Sequence, residues 1–206
     1  MIWKHRLTGA PKNEDIESEE LKIITTKDLN PSPQGNKIYY YEDITRIGIL
    51  NLNRQIDDLT KTLKCVQIQY DLPKPPIIEL HISSEGGDVF SAFSAVDKIA
   101  TNSIPIYVYC EGIVASAATL VSCSGHKRFI TKNSCMLIHQ VRSTFWGNYM
   151  QFQDEATNLS LLMDLIVKIY LQYTGLTEKE LKDLLKHDLY LNAEQCVEKG
   201  LVDKVL

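Results

Sequence analysis

Nowhere in these 206 residues does a basic run interleaved with aromatics occur, and the formal net charge is −4. A nucleic acid or an anionic membrane would find little to hold it, so neither is expected as a partner. Long hydrophobic runs are missing as well. The apolar stretch from Ile113 to Val121 is far too short to span a bilayer and contains Ser116 and Thr119. Met1 to Arg6 is not followed by an apolar core, so a secretory leader is not expected. Cysteine is sparse and odd in number: five residues, at 65, 110, 123, 135 and 196, without regular spacing. That pattern excludes a disulfide framework and fits reduced, buried thiols in a cytoplasmic or equivalent reducing compartment. Cys123 and His126 have a metal-like spacing, but no second pair accompanies them and no metal site is assigned. Neither phosphate-cradling motif, G-x-G-x-x-G or G-x-x-x-x-G-K-[ST], is present, and no internal repeat is visible.

What is there is ordinary in bulk and distinctive in detail. The chain is 44% hydrophobic and 23% charged, as expected of a globular protein. Its length suits one domain burying roughly 70% of its unfolded surface. Residues 1–36 stand apart as a variable N-terminal segment, acidic over Asn13 to Glu20 and loop-like over Asn30 to Asn36. From Lys37 to Leu206 the pattern is that of one continuous domain.

Strand-like and helical stretches alternate. Arg46–Leu50 reads as a strand and Asp57–Tyr70 as a helix, with Leu59, Leu63 and Val66 at helical spacing. Ile77–Ile82 reads as a strand, Val89–Ala100 as a helix, and Ile104–Cys110 as a strand leading to a small-residue helix near Ala115. Arg128–Ile130 and Cys135–His139 are further strands. A long helix is predicted over Phe152–Tyr173, closed by Gly175. Thr177 and Glu180 form a capping box for the next helix. Asn192 caps a last helix that Gly200 ends, before a strand over Leu201–Leu206. The alternation predicts an α/β fold.

Three places could carry chemistry, each at a strand end where α/β folds place ligands. Gly86-Gly87 permits close backbone approach and outward-facing amides, although a plain tight turn explains it equally well. Ser116 lies where a strand gives way to a helix, among residues small enough to leave its hydroxyl accessible. The run is not the G-x-S-x-G elbow, and such a serine is often only a small packing residue. His139 ends an apolar strand; it could be a hydrogen-bonded core residue, or a general base with a reference pKa near about 6.5.

Their joint arrangement is more specific. Gly87, a serine 29 residues on and a histidine 23 further resemble the proteolytic subunit of the Clp proteases, ClpP. The resemblance covers about residues 40 to 206. Ser84-Glu85-Gly86-Gly87 matches S-P-G-G; Gly112 to Thr119 matches G-x-A-A-S-M-G-A; Leu137-Ile138-His139-Gln140 matches M-I-H-Q. Asp188 occupies the place of the family's acid, and Glu198 to Leu206 matches the closing E-Y-G-L-V-D-x-I/V-L.

The resemblance implies a ClpP/crotonase-like fold of repeated β-β-α and β-α-β units, with a protruding handle over about residues 141–173. It implies a serine endopeptidase acting through Ser116, His139 and Asp188, with the amides of Gly87 and Ala117 as oxyanion donors. Gly86, Asp88, Val89, Gln140, Val141 and Arg142 would flank the substrate, paired with it as an added strand. It further implies a homo-oligomer of two stacked heptameric rings acting on unfolded polypeptides, with a Clp-family ATPase as partner. No cofactor is implied for this chain, since ATP would be used by the ATPase. Rival bases and dyads come from His187, Lys127 and Lys132, and a crotonase-type acyl-CoA enzyme is a rival on the same fold. The sequence departs from the family at Glu85 (for proline), at Ala117-Ala118 (for Met-Gly), at Val141 (for proline), and throughout the N-terminal segment.

Overall fold

The computed structural model describes residues 35–206. The expectations placed on residues 1–34 lie outside the described residues. Five parallel strands run side by side in the order β1 (Lys37–Tyr40), β2 (Ile78–Ser84), β3 (Ile106–Ala115), β4 (Lys127–Ile130) and β7 (Lys204–Val205). β5 (Cys135–Leu137) joins β3 in parallel, and β6 (Tyr190–Leu191) pairs antiparallel with β5. Alternation along the strands sorts the two faces. Ile78, Leu80 and Ile82 on β2, with Ile106, Val108 and Cys110 on β3, are fully buried. Tyr39, His81, Tyr109 and Phe129 share the other face as a stack across four strands, with ring centroids 4.7, 4.8 and 5.0 Å apart.

Arg46–Leu50, expected as a strand, is the start of helix α1 (Arg46–Gln69). The buried positions explain why. Ile49, Leu52, Ile56, Leu59 and Leu63 follow one helical stripe, whereas Ile47 is 72% exposed and Ile49 only 3%. A strand would have put those two isoleucines on the same face. Thr45 fixes the start by accepting the Gly48 amide at 3.0 Å.

Helix α2 (Val89–Ala100) has the predicted bounds and packs on α1 and on α3 (Ala117–Cys123). The long helix α4 spans Tyr149–Tyr173, three residues longer at its start than expected. Asn148 and Gln151 form a capping box there, so polar capping chemistry sets that boundary rather than the apolar pattern. Its other end closes at Thr174, which is extended, and Gly175 does not adopt the left-handed conformation expected of it. Helices α5 (Glu178–Leu184) and α6 (Ala193–Glu198) start at the predicted capping box on Thr177 and the predicted cap at Asn192, which with Gln195 also forms a capping box. The terminal strand shrinks to Lys204–Val205, because Leu201 and Val202 are buried in a turn against the core.

β3 positions the site by changing neighbours along its length. Tyr107 to Cys110 pair with β4, while Ile113 to Ala115 pair with β5. Gly112, at φ 63°, sits between the two halves, and the register with β2 shifts there. Few residues other than glycine adopt that backbone, so the sequence places the swing where it is tolerated. The far half of β3 then delivers Ser116 beside the ends of β2 and β5.

Candidate active site

Ser116 stands between the end of β3 and the first residue of α3, at φ 55° and ψ −129°. A non-glycine residue with positive φ is strained and persists only where its surroundings hold it. The hold is visible. Its amide donates to the Leu137 carbonyl at 2.8 Å, and its own carbonyl accepts from the Thr119 hydroxyl at 2.6 Å. Having spent its proton there, the Thr119 hydroxyl accepts from the Tyr170 hydroxyl on α4. Burial pushes the Tyr170 hydroxyl well above its ordinary range, so it remains a donor. The geometry is that of a strained strand-to-helix elbow, reached without the G-x-S-x-G sequence.

The close packing of Gly86 replaces that motif's small residues. A Cβ at Gly86 would stand 2.6 Å from the Ser116 Cβ and 2.7 Å from the Ala115 carbonyl oxygen. Gly87 is bridged to Ile44: the Ile44 amide donates to Gly86 at 2.7 Å and the Asp88 amide to Ile44 at 2.8 Å. Both neighbours of Gly87 face Ile44, so the Gly87 amide faces away from it, on the side of the cleft that Gly87 lines. Ala117, as the first residue of α3, has an amide without an intrahelical acceptor.

His139 lies two residues beyond β5, half-buried. Its Nδ1 is 2.7 Å from the Gln140 carbonyl oxygen. A carbonyl only accepts, so Nδ1 carries the proton in this bond and Nε2 of the neutral ring is left able to accept one. Ser116 and His139 line the same cleft, of about 870 Å³, together with Gly87, Asp88 and Val89 on one side and Gln140, Val141 and Arg142 on the other. Leu137 pairs with Tyr190 in antiparallel fashion, so His139 and Asp188 leave the same end of the β5–β6 ladder, each two residues beyond that last pair. Among the described residues the side-chain partner of the Asp188 carboxylate is nevertheless Arg142, not His139.

Most residues singled out from sequence therefore converge. Gly86 packs beneath Ser116 rather than lining the cleft, and Glu85 is exposed and stands outside the lining. The rivals fall elsewhere. Lys127 lies over the Tyr107 ring, and His187 borders a separate depression of about 260 Å³. Among the described residues no cluster of three or more metal-ligating side chains occurs, and no helix is long and apolar enough to cross a membrane. Sequence reasoning missed the apolar floor: Leu120 from α3 and Leu159, Leu162, Ile166 and Tyr170 from α4. The signal was present, because the α4 residues recur at three- and four-residue intervals. It also missed the role of Ser91, whose amide and hydroxyl bind the Asp88 carboxylate at 2.8 and 2.5 Å and fix the start of α2.

A mixed α/β domain that holds a serine in a strained elbow, with a histidine across the same cleft, defines a class of hydrolase-like sites. The particular family follows from comparison: the sequence profile of the Clp protease family matches residues 33–206, and the chain belongs to that family. A solved structure of a point mutant of ClpP1 from Listeria monocytogenes is similar in fold, with a TM-score of 0.72 at 20% identity. The match covers 84% of this chain and 91% of that one. The chain is a ClpP-type peptidase by family.

Proposed function

We propose that this chain is the serine endopeptidase subunit of a self-compartmentalising protease, with Ser116 as nucleophile, His139 as general base and Asp188 as the orienting acid. The observation that carries the reading is the strained Ser116 in the cleft that His139 also lines from the segment after β5. Ser116 Oγ attacks the scissile carbonyl and its proton passes to His139 Nε2. The developing oxyanion is met by the amides of Gly87 and Ala117, an arrangement whose loss typically costs about 100- to 1,000-fold per donor. His139 then protonates the leaving amine, and water resolves the acyl-enzyme by the same route. Asp188, which leaves the same end of the β5–β6 ladder as His139, accepts a hydrogen bond from Nδ1–H in this scheme and stabilises the imidazolium.

Asp88, which is extended, and Val89, the first residue of α2, line one side of the cleft, and Gln140-Val141-Arg142, outside any helix or strand, line the other; the latter segment supports binding of the substrate as an added strand beside it. Backbone pairing of this kind tolerates many side chains, so enclosure is the natural source of selectivity. A homo-oligomer of two stacked heptameric rings, fed with unfolded polypeptide by a Clp-family ATPase, would supply it. Exposed apolar residues on and before α4, among them Trp146, Tyr149, Met150 and Phe152, support burial in such an assembly. The chain itself needs no cofactor in this scheme. Five free thiols, three of them buried, support a reducing, cytoplasm-type compartment.

Peptidase activity of the assembled protein against a fluorogenic peptide, with Ser116→Ala alongside, tests the reading. Activity in the parent that falls to background in the variant, at unchanged native mass, is expected. Equal activity in both would refute it.

A further inference from the structure

Arg142 has an unusual position between the cleft and the carboxylate proposed to serve His139. It lines the cleft, yet its guanidinium is bonded to Asp188, which does not line it. The other ionised groups at the cleft wall are already engaged. Asp88 is bound by Ser91, and Glu155 accepts from the Ser143 hydroxyl at 2.7 Å. His139, meanwhile, donates from Nδ1 to the Gln140 carbonyl, although it and Asp188 leave the same end of the β5–β6 ladder. One carboxylate thus has two claimants, and the cation holds it.

We propose that Arg142 is a positioning and specificity residue, a latch that withholds Asp188 from His139 until an acidic side chain of the bound peptide draws the guanidinium into the cleft. The proposal rests on the peptidase reading above. An arginine fork can turn from one carboxylate to another without losing charge-assisted bonding. Both partners are largely exposed, with side-chain exposures of 68% and 55%, so the present bond is a weak one and exchange is easy. When Arg142 leaves, Asp188 is free to accept a hydrogen bond from His139 Nδ1 in place of the Gln140 carbonyl. Substrates with Glu or Asp beside the scissile bond would therefore assemble the triad that cleaves them.

The test uses the full, assembled chain and paired fluorogenic peptides that differ only by Glu for Gln at positions flanking the scissile bond. The parent should cleave the Glu peptide about two- to five-fold better, the range set by an exposed ion pair. Arg142→Gln should erase that preference, raising kcat on the Gln peptide by a similar factor with KM unchanged. Arg142→Lys should keep part of the preference. Absence of any preference in the parent, or an equal fall on both peptides in Arg142→Gln, would overturn the latch. Fluorophosphonate labelling separates the two layers. If Ser116 labels but the peptide ratio is unmoved by Arg142→Gln, the latch alone fails. If Ser116 labels in neither protein, the peptidase reading fails and takes the latch with it.

Discussion

Replacing Gly86 with alanine adds a single methyl group and touches no titrating atom, yet it should disable the site. The added Cβ would stand 2.6 Å from the Ser116 Cβ, 2.7 Å from the Ala115 carbonyl and 3.0 Å from the Ala117 amide nitrogen. Carbon pairs rest at about 3.5–4.0 Å, so Ser116 or the loop must yield by roughly 1 Å. A displacement of that size at a reacting centre costs about 100-fold in rate. The backbone adds its own cost, since Gly86 has φ 103°, a conformation worth about 1–3 kcal/mol against a residue with a side chain. For a domain of this length that corresponds to a fall in Tm of about 2–12 °C. Steady-state kcat/KM on a fluorogenic peptide and calorimetric Tm read the two effects separately. Gly35→Ala is the control: its φ is also positive at 67°, but nothing lies within 4 Å of the new methyl. It should lose stability without losing activity. Gly86→Ala with kcat/KM within about three-fold of the parent would refute this reading of how the nucleophile is held.

Two further outcomes follow from buried hydroxyl and thiol groups. Tyr170→Phe removes the donor to Thr119 and should destabilise the domain by about 1 kcal/mol in denaturant titration, while lowering activity through the Ser116 backbone that Thr119 holds. Cys65 is exposed, whereas Cys123 is buried with its thiol pushed up to about 12 by burial, and burial raises the Cys110 thiol further. Alkylation near neutral pH, followed by mass spectrometry, should modify Cys65 in the folded protein and leave Cys110 and Cys123 untouched until denaturant is added.

Much of this architecture was legible because it is written in local signals. The capping box at Thr177 and the cap at Asn192 marked two helix starts, and Val89–Ala100 was read as a helix with the bounds that α2 has. The failures share a cause. Arg46–Leu50 is too short and too apolar to separate strand from helix by itself, and only the stripe continuing to Leu63 decides it. The site was legible as residues but not as geometry. Gly86, Ser116 and His139 stood out individually, yet the elbow strain depends on contacts with Leu137 and Thr119 that no spacing reveals. The Arg142–Asp188 pair spans 46 residues and lies on loops, where sequence pattern has nothing to say about pairing.

The central claim is that Ser116 is an activated nucleophile, and covalent labelling tests it most directly. The assembled chain, treated with a fluorophosphonate and digested for mass spectrometry, should carry the adduct on Ser116, and His139→Ala should suppress it. An unlabelled Ser116, or an adduct on another residue, would contradict the account.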